Sequence, residues 1–182
     1  MRFFTPELYL EFNSQDDAVA DQANEAWEGA LTAYREHLAA IHNCLPHQVR
    51  KLSELCLHDA ELLGSELRTE AVNATPTSPC PEVAGNSIAV LSLNQNETIT
   101  SLIYSLARDT DAFPPPESWP FSGSRKHWLY DEIDLVGDQP DAFVHRILWS
   151  DGSVLRVSFF SVIIHSFPFP ESGQENPSRQ IA

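Results

Sequence analysis

Apolar residues along this chain follow two kinds of pattern, a helical period in the first third and short apolar runs in the rest. After Asn13-Ser14, Asp16 and Asp17 supply the polar, acidic start that a helix favours. Trp27, Leu31, Tyr34, Leu38, Ile41 and Leu45 then recur every three or four residues. That spacing predicts an amphipathic helix with one apolar stripe, stopped by Pro46. A second, shorter helix is expected over about 47–56, with Val49, Leu52 and Leu55 or Cys56 turned inward. Ahead of both, Phe4, Leu8, Leu10 and Phe12 suit a short strand or extended arm.

Past Leu57-His58-Asp59-Ala60 the signal turns to β. Over Glu61–Leu67, Leu63 and Leu67 suit a helix at i, i+4 and a strand at alternate positions alike, and a strand is the favoured reading. Ile88–Leu93 and Thr98–Leu106 form an expected hairpin around Asn94-Gln95-Asn96, and two more strands fall near 127–136 and 142–149. The stretches 69–86 and 109–126 are rich in Pro and polar residues. They are expected to be mobile loops, the second unable to pair in a sheet because of Pro114-Pro115-Pro116 and Pro120. Residues 168–182 read as a disordered tail. The expected architecture is a single α+β domain over residues 1–167, with two N-terminal helices packed on an antiparallel sheet of five or six strands.

The last hairpin carries the sharpest local signal, Asp151-Gly152 between two alternating strands. Read as a two-residue type I′ turn, it sets Ser150 opposite Ser153 and His145 opposite Ser158. One face then holds Val144, Leu148, Leu155, Val157 and Phe159. The other holds Phe143, Ile147, Trp149, Val154 and Phe160. Two apolar faces need two covers. The helices supply one, so the Trp149 face is expected to be partly exposed, as a contact surface for a protein partner or a second copy.

Composition narrows the partners. With 26 Asp and Glu against 11 Lys and Arg, the net charge of −15 opposes binding to phosphate backbones and anionic lipid. No nucleic-acid or membrane partner is expected. The three cysteines, Cys44, Cys56 and Cys80, form neither a disulfide framework nor a CxxC metal pair. The first residues do not resemble a signal peptide, which points to a cytoplasmic protein.

Two clusters could carry chemistry. His58-Asp59 has the residue types of a metal-ligating pair, though a corner between elements also uses such residues to hydrogen-bond backbone. Asp131, Glu132 and Asp134, with His127 upstream, could hold a cation or do acid–base work. On a strand, however, Asp131 points away from Glu132 and Asp134. No phosphate loop, nucleophile elbow, dinucleotide fingerprint or zinc motif occurs, so no cofactor and no metal is expected.

Phe3-Phe4-Thr5-Pro6-Glu7-Leu8-Tyr9, the helix carrying Trp27 and Tyr34, Leu57-His58-Asp59-Ala60 and Trp128-Leu129-Tyr130-Asp131-Glu132 together resemble an uncharacterised bacterial conserved-domain family. The resemblance spans roughly 1–167 apart from the two loops and implies no activity, cofactor or catalytic residue. The residues favour a non-catalytic acidic binding protein. The alternative is a metal-assisted hydrolase or small-ligand enzyme built on His58, Asp59 and the Asp131–Asp134 cluster.

Overall fold

In a computed structural model, residues 1–69, 87–121, 123–137 and 139–169 are described. Three helices, α1 (Pro6–Phe12), α2 (Asp17–Ile41) and α3 (His47–Glu54), precede seven strands. The strands are β1 (Glu61–Thr69), β2 (Ser87–Gln95), β3 (Thr98–Leu106), β4 (Asp111–Phe113), β5 (Trp128–Val136), β6 (Gln139–Trp149) and β7 (Val154–Pro168). All pair antiparallel in one sheet of order β1-β2-β3-β7-β6-β5, with β4 beside the start of β7. The α+β class holds.

Two elements add to the expected count. Thr5 caps α1 by accepting from the Leu8 N–H, and Pro6 takes the first helical position, where its missing N–H costs nothing. The N-terminal segment is therefore helical from Pro6 and not an extended arm. In the stretch 109–126, expected not to pair, Asp111–Phe113 pairs with Val154–Arg156, because the prolines begin only after Phe113. The expected loop over 70–86 and the tail from 170 lie outside the described residues.

The sheet curls until its ends meet. Trp128 donates its N–H to the Ala60 carbonyl at 2.9 Å, Asp59 and Leu62 donate to the Trp128 and Lys126 carbonyls at 2.8 Å, and Glu61 bridges His127. Inside the curl, Leu93, Leu102, Tyr104, Trp128, Ile147 and Phe159 form one core with Val49 and Leu52 of α3 and Ile41 and Leu45 ahead of it. On α2 the apolar stripe is graded: Trp27 is buried, while Leu31, Tyr34 and Leu38 are half-buried. The helix ends at Ile41 and a single 3-10 turn leads to Leu45, so it stops ahead of Pro46.

The β6–β7 register differs from a two-residue turn by one position. His145 faces Val157 and Leu148 faces Val154. Gly152 donates to the Trp149 carbonyl and Trp149 to the Ser153 carbonyl, which makes a three-residue loop closed by Gly152 at φ 78°. A one-residue slip exchanges faces. Phe143, His145, Ile147 and Trp149 now share the inner face with Val157 and Phe159, while Leu148 and Val154 pack outside with Met1, Tyr9 and Trp119. Phe143, Ile147, Trp149 and Val154 are buried in their own chain, at 2%, 0%, 3% and 6% exposure, and of the expected contact surface only Phe160 is exposed. That surface is core, because the curled sheet covers one face and residues 1–12 with the 114–121 loop cover the other.

Candidate functional site

The strand β5 organises the polar residues. Its alternation, set between bulges at each end, points Asp131 and Ile133 into the curl and Tyr130, Glu132 and Asp134 outward. The acidic cluster is therefore divided between two faces, as strand geometry requires.

On the inner side, the Asp131 carboxylate accepts from the Trp128 indole N–H at 3.0 Å and contacts His145 Nε2 at 3.0 Å. His145 is fully buried, and its Nδ1 lies 2.9 Å from the Tyr104 hydroxyl. A neutral imidazole has one donor and one acceptor. With the carboxylate on Nε2, that nitrogen carries the proton and Nδ1 accepts from Tyr104, a tautomer assigned from the network. The side chains of Tyr104, His145, Asp131 and Trp128 then pair with one another, as a buried network needs to. Burial, and secondarily the Asp131 charge, pushes the Tyr104 hydroxyl far above its ordinary value.

On the outer side, Glu132 is 1% exposed and accepts from three successive backbone N–H groups. Arg2 donates to both oxygens at 3.0 and 2.8 Å, Phe3 at 2.6 Å and Phe4 at 2.8 Å. Arg146 lies 3.9 Å from Glu132 and 3.7 Å from Asp134. His37 Nε2 of α2 sits 3.0 Å from the other Asp134 oxygen. Tyr34 accepts the Ile133 N–H at 2.8 Å through its hydroxyl, which burial and then the charge of Asp131 push far upward despite that bond. Phe3 and Phe4 lie against Tyr34, and Phe4 also against Trp27. Glu132 is thus the anchor by which the first residues dock on the sheet.

His58 and Asp59 occupy a third place, the corner between α3 and β1. Asp59 has φ 64°, a left-handed conformation that Asp tolerates better than most residues. Its Oδ2 is 3.0 Å from His58 Nδ1, and both side chains are solvent-accessible. The backbone there is engaged as well: the His58 carbonyl accepts from the Gln95 amide at 2.6 Å, Asp59 donates to Trp128, and His127 Nδ1 lies 3.4 Å from the Asp59 carbonyl. The Asp59 charge also reinforces the burial that raises the Tyr9 and Tyr130 hydroxyls.

The six candidate residues therefore form three separate groups. His58, Asp59 and His127 meet at the surface where the sheet closes, Asp131 faces the core, and Glu132 and Asp134 face the N-terminal helices. Among the described residues no three His, Cys, Asp or Glu side chains are grouped so as to hold a metal ion. An open hollow of about 550 Å³ lies nearby, lined by Phe121, Gly123, Ser124, Arg125, His127 and Ser150, and His127 is the single candidate residue on its wall. His145 and Tyr104 were not among the candidates. The signal for His145 was its place inside Phe143-Val144-His145-Arg146-Ile147, where a buried imidazole requires partners.

A further feature comes from β2, β3 and the second half of β7. Their outer face carries cross-strand rows in direct register, Val90–Ile103–Ile163 and Asn94–Ile99–Phe167. Ile163 and Phe167 are 51% and 45% exposed. Among the described residues no helix packs on the outer face of β2 and β3. No helix among them is long and apolar enough to cross a membrane.

Searches against family models, curated proteins and solved structures found no match.

Proposed function

We propose that this chain is a non-catalytic interaction protein that meets another protein chain through the outer face of β2, β3 and β7. The observation that carries the reading is the row Val90–Ile103–Ile163, continued by Ile99 and Phe167, in which Ile163 and Phe167 are exposed, the other three are half-buried, and no helix among the described residues lies over β2 and β3. Apolar side chains aligned across three strands are the arrangement by which one sheet packs on another surface. The candidate catalytic carboxylates favour the same reading. Asp131 is engaged by Trp128 and His145, Glu132 by the backbone of residues 2–4, and Asp134 by His37 and Arg146, which leaves none of them free toward a common ligand. The test is a photo-crosslinking residue at position 163 in cells that express the full chain, with position 28 on the exposed side of α2 as control. A discrete crosslinked protein species at 163 and none at 28 is expected. Solvent-quenched product alone at 163 would overturn the reading.

A further inference from the structure

Resting on that reading, we infer that the partner on this face is a second copy of the chain. The distribution of charge along the chain points to it. Charged residues make up 20% of the sequence, so about five would be expected in 27 residues. Yet Ser87–Gln95, Thr98–Leu106 and Phe160–Pro168 contain no Asp, Glu, Lys or Arg at all. These segments are neighbours in the sheet, so the charge-free sequence becomes one continuous charge-free surface. At its β1 margin the flanking charges, Glu66 and Arg68, neutralise each other at 2.8 Å.

A chain of net charge −15 has two ways to meet a partner. A basic partner would be steered to the acids, which lie on the helices, the loops and the strands β1, β4, β5 and β6. Another copy carries the same excess, and like charges brought face to face oppose association. The outer face of β2, β3 and β7 is where two copies can touch without opposing carboxylates. A two-fold axis through the Val90–Ile103–Ile163 row would set that row against itself, the self-complementary contact of a symmetric dimer.

The area suits a modest dimer. Nine-residue strands are ~30 Å long, and β2, β3 and the second half of β7 side by side are ~14 Å wide, giving roughly 430 Å² of flat face. That is about half of the ~800 Å² per partner of a standard interface, the size of a weak dimer. Association should therefore depend on concentration. It should also strengthen with salt, because screening relieves the repulsion between the two acidic bodies and leaves the apolar contact intact. A contact with a basic partner would weaken under the same change.

The experiment is sedimentation equilibrium of the purified full chain from ~1 μM to ~1 mM, at low and high NaCl, for wild type, Ile163→Glu and Phe167→Ser. The wild type should form dimers that tighten with salt. Ile163→Glu should weaken association at least ~30-fold and Phe167→Ser about 10-fold, with far-ultraviolet circular dichroism and melting unchanged to certify folding. A strict monomer across the range would overturn the inference, as would a dimer indifferent to both substitutions. A monomer in solution that still gives the discrete crosslink at position 163 would retain the interaction reading and replace the second copy with a different protein.

Discussion

Replacing Glu132 should release the N-terminal segment and cost the protein a large share of its stability. The carboxylate receives three backbone N–H donors, from Arg2, Phe3 and Phe4, and is almost wholly buried. Hydrogen bonds to a charged group contribute about 1.5–3 kcal/mol each, but these three lie on one short segment and come away together, so their values do not add. Losing one partner of a buried charged set costs about 3–5 kcal/mol, and we expect Glu132→Ala to fall in that range. Glu132→Gln keeps one acceptor oxygen but turns an NH₂ toward N–H donors, so a loss of about 1.5–3 kcal/mol is expected. The assay is urea unfolding followed by tryptophan fluorescence, with amide exchange read at Phe3 and Phe4. A cycle makes the reasoning sharper. In a chain lacking residues 2–4 the carboxylate has lost its donors together with the residues that cover it, so Glu132→Gln should then change stability by less than about 0.5 kcal/mol. Two variants within about 0.5 kcal/mol of wild type, or the same loss in both backgrounds, would refute the anchoring role.

Two further outcomes follow from the geometry. All four tyrosines have raised hydroxyl values, Tyr34 and Tyr104 most strongly and chiefly through burial. A group raised in the folded state stabilises fully below its unfolded value, and that contribution is lost as pH climbs past it, so stability should fall from about pH 10 upward. Tyrosinate absorbance should lag behind the urea-unfolded chain in an alkaline titration, and coincident curves would contradict the burial of these hydroxyls. Gly152 should resist substitution. Its φ is 78°, and a Cβ there would come within 2.7 Å of Trp119 Cε2. Gly152→Ala should cost more than about 1 kcal/mol by urea unfolding, and a neutral result would mean Trp119 does not lie on the turn.

How far the sequence discloses this fold depends on the range of the interaction that decides each element. The helix α2 is legible because its period is repeated over 25 residues, and β2 and β3 because apolar runs are bounded by turn residues. The first segment is a case of two local signals in conflict. Phe4, Leu8, Leu10 and Phe12 suit alternation, but Thr5-Pro6-Glu7 is a helix start, and the capping bond from Leu8 to Thr5 prevails. At the last hairpin the deciding contacts are no longer local. Ser150 accepts the His127 N–H through its hydroxyl, and the Trp119 indole donates to the Ser150 carbonyl from 31 residues away. Those bonds hold Ser150 in the loop, so that Asp151-Gly152 closes three residues and not two.

The same distinction governs the polar residues. That Asp131 and Glu132 face opposite ways is a property of any strand, and it follows from their adjacency. What each carboxylate does there depends on partners that adjacency does not reveal: His145 lies 14 residues on, and Arg2 lies 130 residues back. A carboxylate on the inside must find donors, and the β5–β6 register brings His145 to Asp131. The turn at Ser150–Gly152 sets the β6–β7 register, and with it which face of β7 joins His145 in the core. A two-residue turn would leave Asp131 and His145 together but turn Val157 and Phe159 away from them. The side chains most suggestive of chemistry in the sequence are occupied in this way with holding the sheet and its N-terminal cover together. Ile163 and Phe167, the exposed apolar residues of the second half of β7, sit in a stretch whose distinguishing property is the absence of charge.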